Sequence, residues 1–468
     1  MKIKRILTLV LALCLVAALA AGCTTSGNET GSKGTESKSG NTGTASLTVD
    51  DIYGSNATEE EITALQNSGT ITVYTMHQSD VNSADWSDEM RATMDFYKKY
   101  YDLTIKWKYQ AYGDDMSKFM VDYANNDAPD FIKLEYRRWL KCATRQVVYS
   151  LDELKAKGVV GLDHPEVTRY SDLAARYRVG KSNYSVGMHY VDPSLLAFNV
   201  DLFDEYKVKS PAEYYKEGTW DMDAYVKCAK ELTRTLSDGT KIWGGYWRDH
   251  SYYLVCDDAR MVEWNDDCTK LLLKMSDTKT IKALEVFRDC FVSGYSPTDS
   301  SYFNIGQMGM FVCDANNFAQ KVSSFTFKWD VVPTPLGSNN TSGEIPGECT
   351  GNGVVNSTKN PQGVVNYCIA NSIYNSVRFN QPNGVYYVST YEGIYNKDQL
   401  DMIIASGDHI GLDIYWGVGS LSGDYKFWNA VKGGTMTIKE AFDTYQGAWQ
   451  AQVDEENTYL AEALKNQK

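Results

Sequence analysis

The chain has 468 residues, with 46 Lys or Arg against 60 Asp or Glu, a formal charge of −14. That acidity excludes a nucleic-acid partner and any general attraction to anionic lipid, and the length exceeds what one ordinary core encloses and suits two lobes. Lys2, Lys4 and Arg5 precede an apolar run from Ile6 to Ala20. That run is shorter than the roughly 20 residues of a membrane-spanning helix, so it reads as a signal peptide over residues 1–22.

Ala20-Ala21-Gly22 places small side chains before Cys23. Small residues followed by cysteine resemble the bacterial lipoprotein box. The resemblance implies acylation of the Cys23 thiol and a mature protein anchored by lipid at the outer face of the cell membrane. Each buried methylene adds about 0.8 kcal/mol, so two or more acyl chains suffice to hold it there. An ordinary secretory signal with an incidental cysteine is the alternative. Residues 23–50 are rich in Ser, Thr, Gly and charge, cannot offset the entropy of ordering, and predict a tether reaching roughly 25–30 Å.

Ten cysteines include Cys14 in the signal and Cys23. Cys142, Cys228, Cys290, Cys313 and Cys368 fall in apolar or helical runs, where a buried thiol is expected; Cys256 and Cys268 are candidates to close a loop. No C-x-x-C or H-x-x-x-H spacing occurs. Neither a metal nor a cofactor is predicted.

In chain order, 71–76 reads as a strand, and Met90, Met94 and Tyr97 mark a helix. The alternation in 103–109 predicts a second strand. Met116, Phe119, Met120 and Tyr123 follow at the spacing of one buried helix face, which Pro129 terminates. DFIKL (130–134) is a third strand, and the alternation of strands and helices predicts a parallel sheet covered by helices. Further on, 194–199 is a strand, and Asp221 caps a helix carrying Met222, Tyr225, Val226, Ala229 and Leu232. Ile281, Leu284, Phe287 and Phe291 mark another. Strands are predicted at 309–312, at 328–332 and at Val354–Ser357 after Gly351-Asn352-Gly353. Pro361 starts a helix, and a long one from Ile438 through Val453 closes the chain.

Five segments in this order resemble the family 1 extracellular solute-binding proteins, the maltose-binding-protein-like receptors of ABC importers: APDFI at 128–132, LLAFNVDLFDEY within 195–233, IGQMGMFVCDANNF at 305–318, WDVVPTPLG at 329–337 and GNGVVNSTKNPQGVVNYCIA at 351–370. The resemblance implies an α/β, two-lobed periplasmic-binding-protein-like fold (type II), with discontinuous lobes joined by hinge crossings near 190–196, 331–336 and 375–385. One lobe then takes 66–192 plus 336–378, the other 193–335 plus 379–468. A monomer of this kind closes on solute in the cleft and docks the importer's transmembrane subunits.

Tyr (33) and Trp (11) dominate the aromatics. Their apolar faces and polar edges suit sugar rings, so an oligosaccharide is the expected solute. Matching the family pattern implies contacts from His77 and Asp80 after the first strand, from Glu135, Tyr136 and Arg137 (with Arg138) after the third, and from Asp192. Trp247 and Arg248 follow in the second lobe, with Trp428 in a segment that supplies a stacking ring. After Met310 the chain departs from the family's Gly-Pro-Trp platform. Either Asn316 or Asn317 then bonds solute, or Trp416 supplies the surface.

Other readings remain. Arg137 and Arg138 also suit a solvated helix face, Asp192 a turn before Pro193, and Trp428 a core position. A glycosidase needs only two carboxylates in a cleft, although no G-x-S-x-G, H-E-x-x-H or P-loop motif is present and no enzymatic activity is expected. A polyamine or peptide receptor is also compatible. Iron capture by Tyr252-Tyr253 or Tyr386-Tyr387 is disfavoured, because neighbours on a strand face opposite ways.

Overall fold

The structure, a computed structural model, describes residues 47–111, 116–248, 250–378, 391, 393–411, 414–418 and 425–467. The signal, Cys23 and the tether as far as residue 46 lie outside these, as do the expected third crossing beyond residue 378 and Tyr386-Tyr387. Among the described residues no helix is long and apolar enough to cross a membrane.

Strands β1 (Gly69–Thr75), β2 (Leu103–Tyr109) and β3 (Phe131–Glu135) pair in parallel, with β1 between the other two. Helix Asp88–Tyr101 links the first two and turns Phe96, Tyr97 and Tyr101 inward. A hairpin of β4 (Arg178–Val179) and β5 (Ser182–Asn183) precedes β6 (Met188–Asn199). After it come β7 (Arg234–Thr235), β8 (Lys241–Trp247), β9 (Val262–Trp264), β10 (Leu271–Leu273), β11 (Met308–Asp314), β12 (Trp329–Pro333) and β13 (Gly347–Val354). The principal sheet runs β2-β1-β3-β13-β6-β11-β8-β7, and β12 also pairs with β6. The parallel arrangement therefore holds for the first three strands, while β13 lies antiparallel to β3 and makes the sheet mixed.

Strand β6 organises the molecule. Its first half, to Pro193, pairs with β13; its second half, from Ser194, pairs with β11 and β12. Strands β12 and β13 both run antiparallel to β6 and lie end to end along it, with the excursion 334–346 between them. Pro193 has no amide hydrogen to give a ladder. It sits next to the point where the partner changes from β13 to β12. The run Leu195–Phe198 is wholly buried, as a strand covered on both faces should be.

Sequence and structure differ at β13. The strand was expected to follow Gly351-Asn352-Gly353, but it starts at Gly347, contains both glycines and ends at Val354. The glycines are packing residues: a Cβ on Gly351 would lie 2.2 Å from Ser185 Oγ, and one on Gly353 2.9 Å from Leu134 Cδ2. They signal close approach within a strand rather than a turn before one.

Elsewhere the helix signals act as read. Asp221 accepts the Ala224 amide at 2.8 Å and caps helix Met222–Leu232. Pro361 opens Pro361–Arg378, and Ile438–Asn466 closes the chain. Helix 222–232 lies so close to β8 that a Cβ on Gly244 would come 2.0 Å from the Ala229 carbonyl oxygen. All eight cysteines after Cys23 are free thiols and seven are buried, so Cys256 and Cys268 do not pair.

Candidate functional site

A cavity of about 160 Å³ opens at the start of β13, where that strand pairs with β6. Residues from both pairing groups line it. Tyr136 and Arg137 follow the carboxyl end of β3, and Gly347 and Glu348 open β13. From the other side come Arg248, at the carboxyl end of β8, and Ser251 and Tyr252 in helix His250–Val255; Trp416 lies in the turn Ile414–Gly417. Carboxyl ends of strands are where open α/β sheets place ligands, because the connecting loops diverge there.

The floor is a charged cluster. Arg248 pairs with Asp314 through one guanidinium nitrogen and with Glu348 at 2.8 Å through the other, joining the two groups. Asp314, buried, also accepts the hydroxyls of Tyr252 at 2.6 Å and Ser194 at 3.0 Å. The second oxygen of Glu348 accepts the Tyr190 hydroxyl at 2.8 Å. The wall is aromatic: Tyr136 meets Trp416 edge-on at 5.5 Å, and Trp416 donates its indole N–H to Ser251 Oγ at 3.3 Å. The Arg137 guanidinium lies 5.0 Å from the Trp416 ring centre and 5.3 Å from that of Tyr136. Burial pushes the Tyr136 phenol above its ordinary pKa.

Of the residues singled out from sequence, Tyr136, Arg137, Arg248 and Trp416 line the cavity together. Asp192 lies beside them without lining it. It stands opposite Glu348 in the β6–β13 ladder, and its carboxylate accepts the Asn316 amide at 3.1 Å and the Tyr391 hydroxyl at 3.3 Å. Asn316 thus contributes its backbone here, while its side-chain oxygen accepts from Gln320.

The remaining candidates are placed elsewhere. His77 is exposed and precedes helix Gln78–Val81; Asp80 accepts the Thr75 hydroxyl. Glu135 faces Arg138 at 3.8 Å. Trp247 is buried between Tyr225 and Tyr253, and Trp428 is buried in face-to-face stacking on His250. Neither tryptophan lines the cavity, because each occupies an inward position of its element and is consumed by core packing.

Glu348 and Asp314 escaped sequence reading. Placing β13 after the glycines left Glu348 in a loop, whereas starting the strand at Gly347 sets it opposite Asp192. Asp314 ends a wholly buried strand, and a carboxylate directly after MGMFVC is the sequence signal that would have found it.

Burial raises the Asp192 carboxyl from its ordinary 3.8 to about 7; the Asn316 amide opposes this and the Glu348 charge adds to it. Between those values the folded state holds a proton that the unfolded chain has lost. Asp192 therefore contributes fully to stability below about pH 3.8, and the contribution is lost as pH rises to about 7. Asparagine keeps the acceptor oxygen and cannot ionise. We expect the melting temperature of Asp192→Asn to gain on the parent steadily between those pH values and to hold a constant lead above. A lead independent of pH would exclude a buried protonated carboxyl.

Residues 79–367 match the family profile described as bacterial extracellular solute-binding protein. No curated protein sequence matches the chain. Among solved structures, an ABC substrate-binding protein of Listeria monocytogenes in complex with cycloalternan superposes with a TM-score of 0.59 at 17% identity, covering 84% of this chain and 99% of that one. The GacH receptor of Streptomyces glaucescens, solved unliganded and with acarbose, gives 0.57 at 17% identity over 84% and 98%. A solute-binding protein of Thermotoga lettingae bound to α-D-tagatose gives 0.56 at 15% identity over 84% and 100%. At these identities the likeness is one of fold, the mixed α/β architecture of the two-lobed solute-binding proteins.

Proposed function

This chain belongs to the bacterial extracellular solute-binding proteins, and from that premise we propose that it is the lipid-anchored receptor of an ABC importer, capturing an oligosaccharide in the cavity at the start of β13. The observation that carries the reading is the composition of that cavity: Tyr136 and Glu348 come from one pairing group of β6, Arg248 and Tyr252 from the other. A solute held there touches both groups. Its binding free energy therefore favours whichever arrangement brings them together.

On this reading the lobes divide at Asp192–Pro193 and again within 334–346, one comprising 66–192 plus 336–378 and the other 193–335 plus 379–468. Lipid on Cys23 and the Ser/Thr/Gly tether hold a monomer at the outer membrane face, where the closed form docks the importer's transmembrane subunits. Aromatic rings with a few placed polar groups suit sugar rings, and the relatives bound to cycloalternan and acarbose support a saccharide. Two arginines at the cavity oppose a polyamine.

A thermal-shift screen against saccharides and polyamines tests the reading, since solute that binds only the folded state raises the melting temperature. We expect saccharide hits without turnover. In Trp416→Ala, removing the aromatic wall is expected to weaken the best hit at least tenfold, or about 1.4 kcal/mol, by titration calorimetry. Hits confined to polyamines, or hydrolysis of a hit, would overturn the assignment.

A further inference from the structure

A second cavity, of about 540 Å³, lies beside the first. Arg176, Arg178 and Arg260 line it with Glu263, Glu344 and the Trp264 ring. The partition between the two is thin. Gly411 lines the first cavity, and a Cβ built on it would lie 2.7 Å from Glu344 Oε2 and 2.9 Å from Arg260 Nη2, both lining the second.

Charge is distributed unusually here. Although the chain carries −14 overall, five guanidinium groups against three carboxylates line the two cavities. Most of these charges are matched. Arg248 is held by Asp314 and Glu348, and Arg176 and Arg260 share the two oxygens of Glu344 at 2.6 and 2.5 Å. Glu263 faces Lys279 at 3.6 Å and Lys274 at 4.0 Å.

Two guanidiniums have no carboxylate among the described residues. Arg137 is exposed and makes ring contacts only, with Trp416 and Tyr136. Arg178 is exposed and donates only to Cys268 Sγ, at 3.0 Å. Each cavity thus presents one arginine whose planar fork is available for a bidentate anion, the geometry that arginine provides and lysine does not.

We infer that the solute is an acidic saccharide, carrying carboxylate or sulfate on its rings, with one acid group on Arg137 in the first cavity and another on Arg178 in the second. The inference rests on the saccharide-receptor reading and narrows it. Solute would span both cavities past Gly411, stacking on Trp416 and Trp264. Local positive potential in an acidic protein also steers such a solute inward, with salt-dependent affinity.

The test is titration calorimetry of the full mature chain with four probes: trigalacturonate, a sulfated disaccharide, maltotriose and xylotriose. Binding of trigalacturonate or the sulfated disaccharide at least tenfold tighter than either neutral sugar is expected, and the preferred one identifies the acid group. Arg137→Gln and Arg178→Gln should each weaken that acidic probe about ten- to hundredfold, as loss of a charged hydrogen-bonding partner does. Arg137→Lys should restore only part of the loss. Both side chains are exposed, so the variants are expected to melt with the parent. Neutral sugars binding as tightly as acidic ones would overturn the inference and leave the receptor reading intact. An acidic probe unaffected by both glutamine variants would overturn it equally. Absence of binding by all four would overturn it together with the saccharide reading.

Discussion

Arg248→Met is expected to destabilise the protein by about 3 kcal/mol, the cost of leaving a buried carboxylate without its cation. Asp314 retains the hydroxyls of Tyr252 and Ser194 after the change, but these donate hydrogen bonds without cancelling its charge. Its side chain is only 2% exposed, so water cannot substitute. Arg248 itself keeps 36% exposure, which places the effect at the lower end of the range for broken buried pairs. Adding Asp314→Asn to Arg248→Met removes the stranded charge while keeping an acceptor for both hydroxyls. We expect urea unfolding to show most of the lost stability returning in the double variant. A single variant within about 0.5 kcal/mol of the parent, the ordinary range of surface substitutions, would mean that the pair is not a buried one.

Gly244→Ala is expected to be at least as damaging, at about 3 kcal/mol or more. The added carbon would meet the Ala229 oxygen at 2.0 Å and its carbonyl carbon and Cα at 2.5 Å, all backbone atoms of helix Met222–Leu232. Backbone cannot swing aside as a flexible side chain does, so strand and helix must separate and the contacts around Tyr225 and Leu232 loosen. Gly447→Ala provides the contrast. It lies within helix Ile438–Asn466 with nothing inside 4 Å of the added carbon. Alanine there should stabilise by about 0.5–1 kcal/mol through the unfolded chain and helix propensity. Equal effects at the two sites would refute the close approach of β8 to its helix.

Periodicity revealed those elements whose signals are local. The β-branched run of β1, the alternation of β2, the Asp221 cap and the Pro361 helix start depend on neighbours within a few residues, and sequence reading locates them closely. Strand β13 fails for a non-local reason. Gly351 and Gly353 look like a turn until Ser185 and Leu134, distant in sequence, require a strand without side chains there. The same limit governs the site. Tyr136, Arg137 and Arg248 follow strand ends, positions that the family order supplies, and Trp416, offered in place of the missing platform, meets them at one cavity. Trp428 takes the core position that its helical spacing allowed, stacked on His250, whereas the burial of Trp247 between Tyr225 and Tyr253 was not visible in its spacing. Glu348 and Asp314 matter because Arg248 bridges them, and such a bridge is a property of three dimensions alone.

The division of β6 between two sets of partners bears on how this molecule can be taken apart. A chain cut at Pro193 would part β3 and the first half of β6 from β13, the strand that lies between them, and leave raw hydrogen-bonding edges on both pieces. Neither piece would be expected to persist in isolation. Grafting one portion onto a homologue would therefore have to carry its share of β6, joined at Asp192–Pro193 and again in the 334–346 excursion.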